Sequence, residues 1–253
     1  MTGATRLAIA ALAFAAPLAA APAIADMLDL EDGFPTSVED AYPIGYLGRE
    51  IQLHAAYERS HEGDDGVRLR PRVEFGFPRN AQVSIAQRFT TGSIAPNGVG
   101  ATEIEWLYNV NQETLALPAV AVVGRVDLPT GKSAHGVDAG AKVLVSKTLP
   151  GTWHVHRVHA NALYRANDDV RPGERGAGFR FVVGYSTVIT NELLLVGDLL
   201  REHTFTEDEE INLAEVGLRF ALTPRAVVSA GLGFGIGDES PDVRSVVGLQ
   251  YEF

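Results

Sequence analysis

From about residue 50 to the end, apolar and polar side chains alternate with a period of two. They do so in successive runs of about ten residues, each long enough to cross a bilayer at a tilt. The first run places Ile51, Leu53, Ala55 and Tyr57 on one face. The second sets Val67, Leu69, Pro71, Val73, Phe75 and Phe77 against Arg68, Arg70, Arg72 and Glu74. The third carries Val83, Ile85 and Phe89, and the fourth opposes Ile104, Trp106, Tyr108 and Val110 to Glu103, Glu105, Asn109 and Asn111. Val120, Val122, Val126 and Leu128 face away from Arg125 and Asp127, and Ala139, Ala141, Val143 and Val145 from Asp138 and Lys142. A seventh run, from Trp153 to about Tyr164, changes parity near His156-Arg157, which suggests a bulge. The eighth has Phe179, Phe181, Val183 and Tyr185 against Arg180, and the ninth, from Leu193 to about Arg201, sets Asp198 opposite Leu195 and Leu199. In the tenth, Val216, Leu218, Phe220 and Leu222 oppose Glu215, Gly217 and Arg219; Val228 to Phe234 and Val247 to Phe253 make the last two. Pro71 is out of place mid-strand, because it cannot donate to a ladder; a bulge or another register would absorb it.

Tight connections follow the even-numbered runs, at Pro78-Arg79-Asn80, Pro150-Gly151-Thr152, Asn191 and Thr223-Pro224-Arg225, with a slightly longer one around Glu113 to Leu117. Longer polar connections follow the odd-numbered runs, among them Thr91 to Gly100, Pro129 to Gly136 and Arg165 to Gly176. This alternation predicts an all-β fold: a closed antiparallel transmembrane β-barrel of about 12 strands over residues 49–253, with short periplasmic turns and longer outer loops. Closure is required in lipid, where each backbone N–H and C=O needs an internal partner. Phe77, Phe89, Tyr164, Phe220, Tyr251 and Phe253, near strand ends, would supply interfacial aromatic girdles.

Composition changes little here. A hydrophobic fraction of 46% and a mean hydropathy of +0.04 resemble a soluble protein, but a barrel exposes only every second strand residue to lipid. Residues 1–25 read as a signal peptide: Arg6, an Ala/Leu-rich stretch from Leu7 to Ala20, then Ala23-Ile24-Ala25 as a small-x-small cleavage site. The expected location is therefore the outer membrane of a Gram-negative bacterium. A net charge of −11 argues against nucleic-acid binding, and zero cysteines exclude thiol chemistry and a disulfide framework.

The chain ends Val246-Val247-Gly248-Leu249-Gln250-Tyr251-Glu252-Phe253. Gly248, Tyr251 and Phe253 resemble the C-terminal signal read by the barrel-assembly machinery, whereas Val246 departs where a polar residue is usual. Ser37 to Leu53, Val126 to Lys132 (VDLPTGK) and Glu239 to Phe253 are similar to outer-membrane proteins of the meta-pathway of phenol degradation type, often labelled transporters. That resemblance implies a barrel passing small solutes, aromatic or hydrophobic ones among them, and carries over no binding residue. The expected partners are outer-membrane lipid and lipopolysaccharide, the assembly machinery and small solutes.

The inward faces hold the candidate lumen-lining residues: Arg68, Arg70, Arg72, Glu74, Glu103, Glu105, Arg125, Asp127, Asp138, Lys142, Arg180, Asp198, Glu215 and Arg219. The arginine row of the second run suits anion preference in a pore or pairing with neighbouring acids. Residues 26–48 contain Asp26, Asp29, Glu31, Asp32, Glu39 and Asp40 and neither Lys nor Arg. They form either a loose periplasmic extension or a lumen plug set against that row. His154, His156 and His159 lack an acid or Cys at ligand spacing, so they read as lumen or interface side chains and no metal is expected. Gly131-Lys132-Ser133 lacks the earlier glycine of a phosphate loop. No Ser/His/acid grouping supports catalysis, and no cofactor is expected. The functional expectation is passive passage of small solutes, with a non-conducting surface barrel as the alternative.

Overall fold

A computed structural model describes residues 26–131, 134–150 and 154–253. The expected signal peptide at 1–25 lies outside the described residues, as do Lys132, Ser133 and Trp153. Twelve strands follow one another: β1 (Arg49–Arg59), β2 (Asp65–Phe75), β3 (Ala81–Gly92), β4 (Gly98–Asn111), β5 (Ala119–Leu128) and β6 (Asp138–Thr148). Then come β7 (His156–Ala166), β8 (Ala177–Thr190), β9 (Leu193–His203), β10 (Glu210–Thr223), β11 (Ala226–Gly235) and β12 (Val243–Glu252). Each pairs antiparallel with its chain neighbours, and β12 returns to β1, so the sheet is a closed barrel without an edge. The seam runs in unbroken register from Glu50↔Glu252 to Arg59↔Val243, and the Phe253 N–H donates to the Arg49 carbonyl at 3.0 Å beyond it.

Strand alternation sorts the side chains as a bilayer requires. In β1, Ile51 and Leu53 are exposed at 46% and 50%, while Glu50, Gln52, Ala56 and Glu58 are buried. The outer face continues through Val73, Ile85, Trp106, Val143, Phe181, Val216 and Leu249, a contiguous apolar belt of the kind that faces hydrocarbon. Aromatic pairs strengthen its margins: Trp106 stacks on Tyr108, and Tyr164 lies against Phe179 with ring centroids 5.2 Å apart. Among the described residues no helix is long and apolar enough to span a membrane.

Three local expectations change. Pro71 sits in an unbroken ladder with β1, opposite Leu53, and causes no bulge. On its other side the pairing with β3 lapses between Leu69↔Phe89 and Arg72↔Ala86, then resumes in the same register. A missing N–H thus costs a rung without shifting the strand. The parity change near His156 is a strand start: β7 begins there and pairs with both neighbours without irregularity. Connection lengths alternate less than the residue pattern suggests, because β3 and β4 extend into the Thr91–Gly100 stretch and leave only residues 93–97 between them. The longest connections, 129–137 and 167–176, still lie on the side of the odd-numbered connections, here the upper rim.

Residues 30–44 lie inside the barrel, and residues 45–48 lead over the lower rim, where the exposed Tyr46 packs against Phe77. The chain rises past Leu30, turns through residues 32–37 and descends past Val38, Ala41 and Ile44 to the lower rim, with the Asp40 N–H donating to the Leu30 carbonyl at 3.0 Å. Leu30, Phe34, Val38 and Ala41 are all buried.

The outward face gives a direct test of the membrane reading. Val183, mid-strand in β8 and paired with Leu199, is 63% exposed. Val183→Arg is expected to lower folding stability by about 2–4 kcal/mol in phospholipid vesicles, the cost of a midplane cation. Urea titration of the refolded barrel measures it; an unchanged midpoint would remove this face from the bilayer.

Candidate functional site

The segment inside the barrel has no strand partner, so its backbone donors need other acceptors. Wall side chains supply them. The N–H groups of Ser37, Val38, Glu39, Ala41 and Ile44 donate to Glu215, Asp198, Asn161, Ser146 and Gln82 at 2.7–3.1 Å. Five strands (β10, β9, β7, β6 and β3) thus hold one run of backbone. In the other direction, Asn161 and Asn109 donate their side-chain amides to the carbonyls of Glu39 and Ala41.

Apolar contacts fix the same segment. Leu30 and Val38 pack with Val182, Leu194, Val196, Leu200 and Leu213, and Ala41 packs with Leu107, Ala119, Ala121, Val123 and Leu144. Wall glycines make the recesses. A Cβ on Gly248 would overlap the Phe34 ring, one on Gly217 would come within 2.6 Å of Pro35, and one on Gly184 within 2.8 Å of Val38. Asp198 faces inward in β9 as expected, but its inward neighbours Leu194, Val196 and Leu200 make that wall apolar.

The candidate lumen residues form a linked charge network. Arg72 forms ion pairs with Glu31 of the segment at 2.7 Å, Glu74 at 2.6 Å and Glu105 at 3.5 Å. Lys142 pairs with Glu39 of the segment and lies 3.2 Å from Glu105. Arg125 spans Glu103, Glu105 and Asp127 at 2.9–3.3 Å. Higher up, Arg180 joins Asp32 to Glu202, and Arg70 joins Glu103 to the Asp32 carbonyl. Arg219, fully buried, donates to the carbonyls of Met27, Phe34 and Asp26 and stacks on the Phe34 ring. Arg68 is half-exposed on Glu58, and Asp138 is half-buried at the upper end of β6. The arginine row is therefore divided by depth, from Arg72 in the buried network to Arg68 near the upper opening. Glu50, Glu58, Glu202 and Arg244 also belong to this set, with Arg244 holding Glu58 at 2.8 Å and Glu215 at 3.4 Å. Their parity against Ile51, Leu53, Leu199 and Val247 was the signal that would have found them.

Above the segment opens a cavity of about 510 Å³, floored by Asp32, Gly33, Thr36 and Ser37. Its wall carries Arg68, Arg88, Arg125, Arg165, Arg180 and Arg244 together with Glu58, Glu103, Asp127 and Glu202. The histidines do not converge on a centre. His159 is buried between the hydroxyls of Ser146 and Ser186, at 2.9 and 3.0 Å, and so steadies the acceptor of the Ala41 N–H. His156 stacks on Tyr185 and contacts Thr187. Among the described residues no cluster has the make-up of a metal site. In the terminal run, Gly248 faces the lumen, whereas Tyr251 and Phe253 are exposed at the lower rim.

Neither a family model nor a curated protein matches the sequence. Solved structures do match in shape. The chain is similar to an outer membrane channel from Pseudomonas putida F1, with TM-score 0.64 and 10% identity over 85% of this chain and 98% of that one. It is also similar to the NanC porin (TM-score 0.59, 12% identity, 80% and 100%) and the KdgM porin (0.57, 12%, 81% and 99%). The shared property is the fold. At these identities no residue of those proteins transfers to this chain.

Lys142→Met leaves Glu39 and Glu105 buried without their common cation, an arrangement that costs about 3–5 kcal/mol in other buried pairs. Adding Glu39→Gln is expected to restore part of that loss, read as a double-mutant cycle in urea unfolding; strict additivity would show that the pair is uncoupled. At the upper rim, exposed His61 bonds Asp242 at 3.0 Å, and this bond raises the imidazole pKa above its ordinary 6.5. The tie between the two loops is complete below the ordinary value and fades as pH rises through the raised one. An NMR titration of His61 should move back toward 6.5 in Asp242→Asn.

Proposed function

We propose that the protein is an outer-membrane channel through which small solutes cross passively, exported by its signal peptide and plugged in part by residues 26–48. The observation that carries this reading is a closed barrel with an apolar exterior, a charged interior and a wide cavity on one side. Such an interior is costly for a merely structural barrel to maintain, whereas it suits passage of polar or charged solutes past a low-dielectric wall. The resemblance of Ser37 to Leu53 and of the terminal run to the phenol meta-pathway type adds aromatic or hydrophobic solutes to the candidates. On this reading the exterior belt meets outer-membrane lipid and lipopolysaccharide, and Gly248, Tyr251 and Phe253 address the barrel-assembly machinery. The protein works without catalysis or cofactor.

The segment in the lumen is also what favours a second reading, a non-conducting surface barrel in which residues 26–48 serve as a core. Planar-bilayer recording separates the two. The mature chain is expected to conduct in small steps, and deletion of residues 26–46 to raise the step size several-fold. Absence of any conductance from both forms would establish the surface barrel, and equal steps from both would remove the plug.

A further inference from the structure

Most of the arginines lining the upper cavity are committed to carboxylates. Arg68, Arg70, Arg88, Arg125, Arg180 and Arg244 each form at least one ion pair. Arg165 is the exception. It lines the same cavity and is half-buried near the upper end of β7, yet among the described residues its guanidinium makes no hydrogen bond and no ion pair within 4 Å, and the Glu202 and Asp127 carboxylates act on it only from farther off. Its guanidinium lies over the face of Phe205, with 4.4 Å from ring centroid to guanidinium carbon. A guanidinium stacked on an aromatic ring is held in orientation while its N–H fork stays available in the plane.

The surroundings fix that pose. Across the strand pair, Arg165 faces Gly140, where a Cβ would lie 3.2 Å from the arginine Cγ, so the glycine leaves room for the stem. Phe205 belongs to the connection 204–209, which the neighbouring connection 167–176 braces. The Arg175 N–H donates to the Phe205 carbonyl at 2.6 Å, the Glu207 N–H donates to the Gly173 carbonyl at 2.9 Å, and Glu174 bridges Thr206. The Arg175 side chain reaches the carbonyls of Thr204 and Glu209. Two loops are thus tied together beneath one ring.

We propose that Arg165, seated on Phe205, is a binding site for the carboxylate group of a small organic solute entering the upper cavity. Five N–H donors in a fixed plane match two carboxylate oxygens as a bidentate pair. Leu163 and Ile211, on the same cavity wall, offer apolar surface to the body of such a solute. The other cavity arginines, already paired, set the local potential without competing for the ligand. This deepens the channel reading by naming a solute class, but the site is defined by binding and not by flux.

The test is calorimetric titration of the refolded mature chain in detergent with benzoate, its neutral counterpart benzamide, and inorganic phosphate. Benzoate is expected to bind saturably and benzamide not to. Arg165→Gln should weaken benzoate at least tenfold and Arg165→Lys severalfold, since lysine keeps the charge without the fork. Phe205→Leu, remote from the strand ladder, should also weaken it severalfold, and the folded gel mobility of each variant checks the barrel. Equal benzoate binding by wild type and Arg165→Gln would overturn the proposal, as would the absence of saturable benzoate binding by the wild type. Phosphate binding more tightly than benzoate would overturn the carboxylate assignment. A chain that binds benzoate at Arg165 yet conducts nothing refutes the channel and keeps the site; one that conducts but binds no benzoate does the reverse.

Discussion

Everything in this molecule depends on the demand that no backbone polar group face hydrocarbon unpaired. A sheet meets that demand only by returning on itself, and here β12 completes the circuit with β1 in continuous register. Once closed, the wall divides space into two solvents. Apolar side chains such as Leu53, Val183 and Leu249 go to the outside, and charged ones have one place left. The interior must then settle its own electrostatics, which it does by pairing arginines and one lysine of the wall with acids of the wall and of the enclosed segment.

The enclosed segment meets the same demand by different means. It cannot join the wall's ladder, because every strand already has two partners. Side chains of Glu215, Asp198, Asn161, Ser146 and Gln82 take the place of a neighbouring strand and receive its N–H groups one by one. This makes the position of the segment specific to its sequence: a shift of one residue would misplace five acceptors and three glycine recesses together. Its surplus of acids, with Asp32, Glu31 and Glu39 each on a wall cation, matches the wall's basic side chains and disfavours withdrawal into a neutral groove elsewhere.

The barrel itself was legible because lipid imposes a simple rule on alternate residues, and that rule shows without homologues. Ile51 to Tyr57 and Val216 to Leu222 read correctly for this reason. The interior was less legible because inward positions answer to a local neighbour and not to a solvent. Leu194, Val196 and Leu200 look like ordinary strand residues until Leu30 and Val38 are seen against them. Gly184 and Gly248 read as unremarkable strand glycines, whereas each clears space for a side chain more than a hundred residues away in the chain. Within residues 26–48, Leu30, Phe34, Val38 and Ala41 recur every three or four positions, a helical spacing. The segment nevertheless forms turns, since Gly33, Pro35 and Pro43 interrupt any helix there. Pro71 and His156 misled for smaller reasons, a lost rung that shifts nothing and a strand that starts later than its apolar run.

Gly248 belongs to the terminal run whose pattern resembles an assembly signal, and in the folded chain it is the recess for the Phe34 ring. That recess lies on β12, beside His54 of β1 across the seam, and Pro35 rests on Gly217 and Gly231 of the two strands before it. The socket therefore comes into being only when the first and last strands meet. This sets an order on folding: Phe34 and Pro35, although they precede every strand in the chain, reach their final contacts only after β12 has met β1, and their seating reports that the cylinder has been sealed.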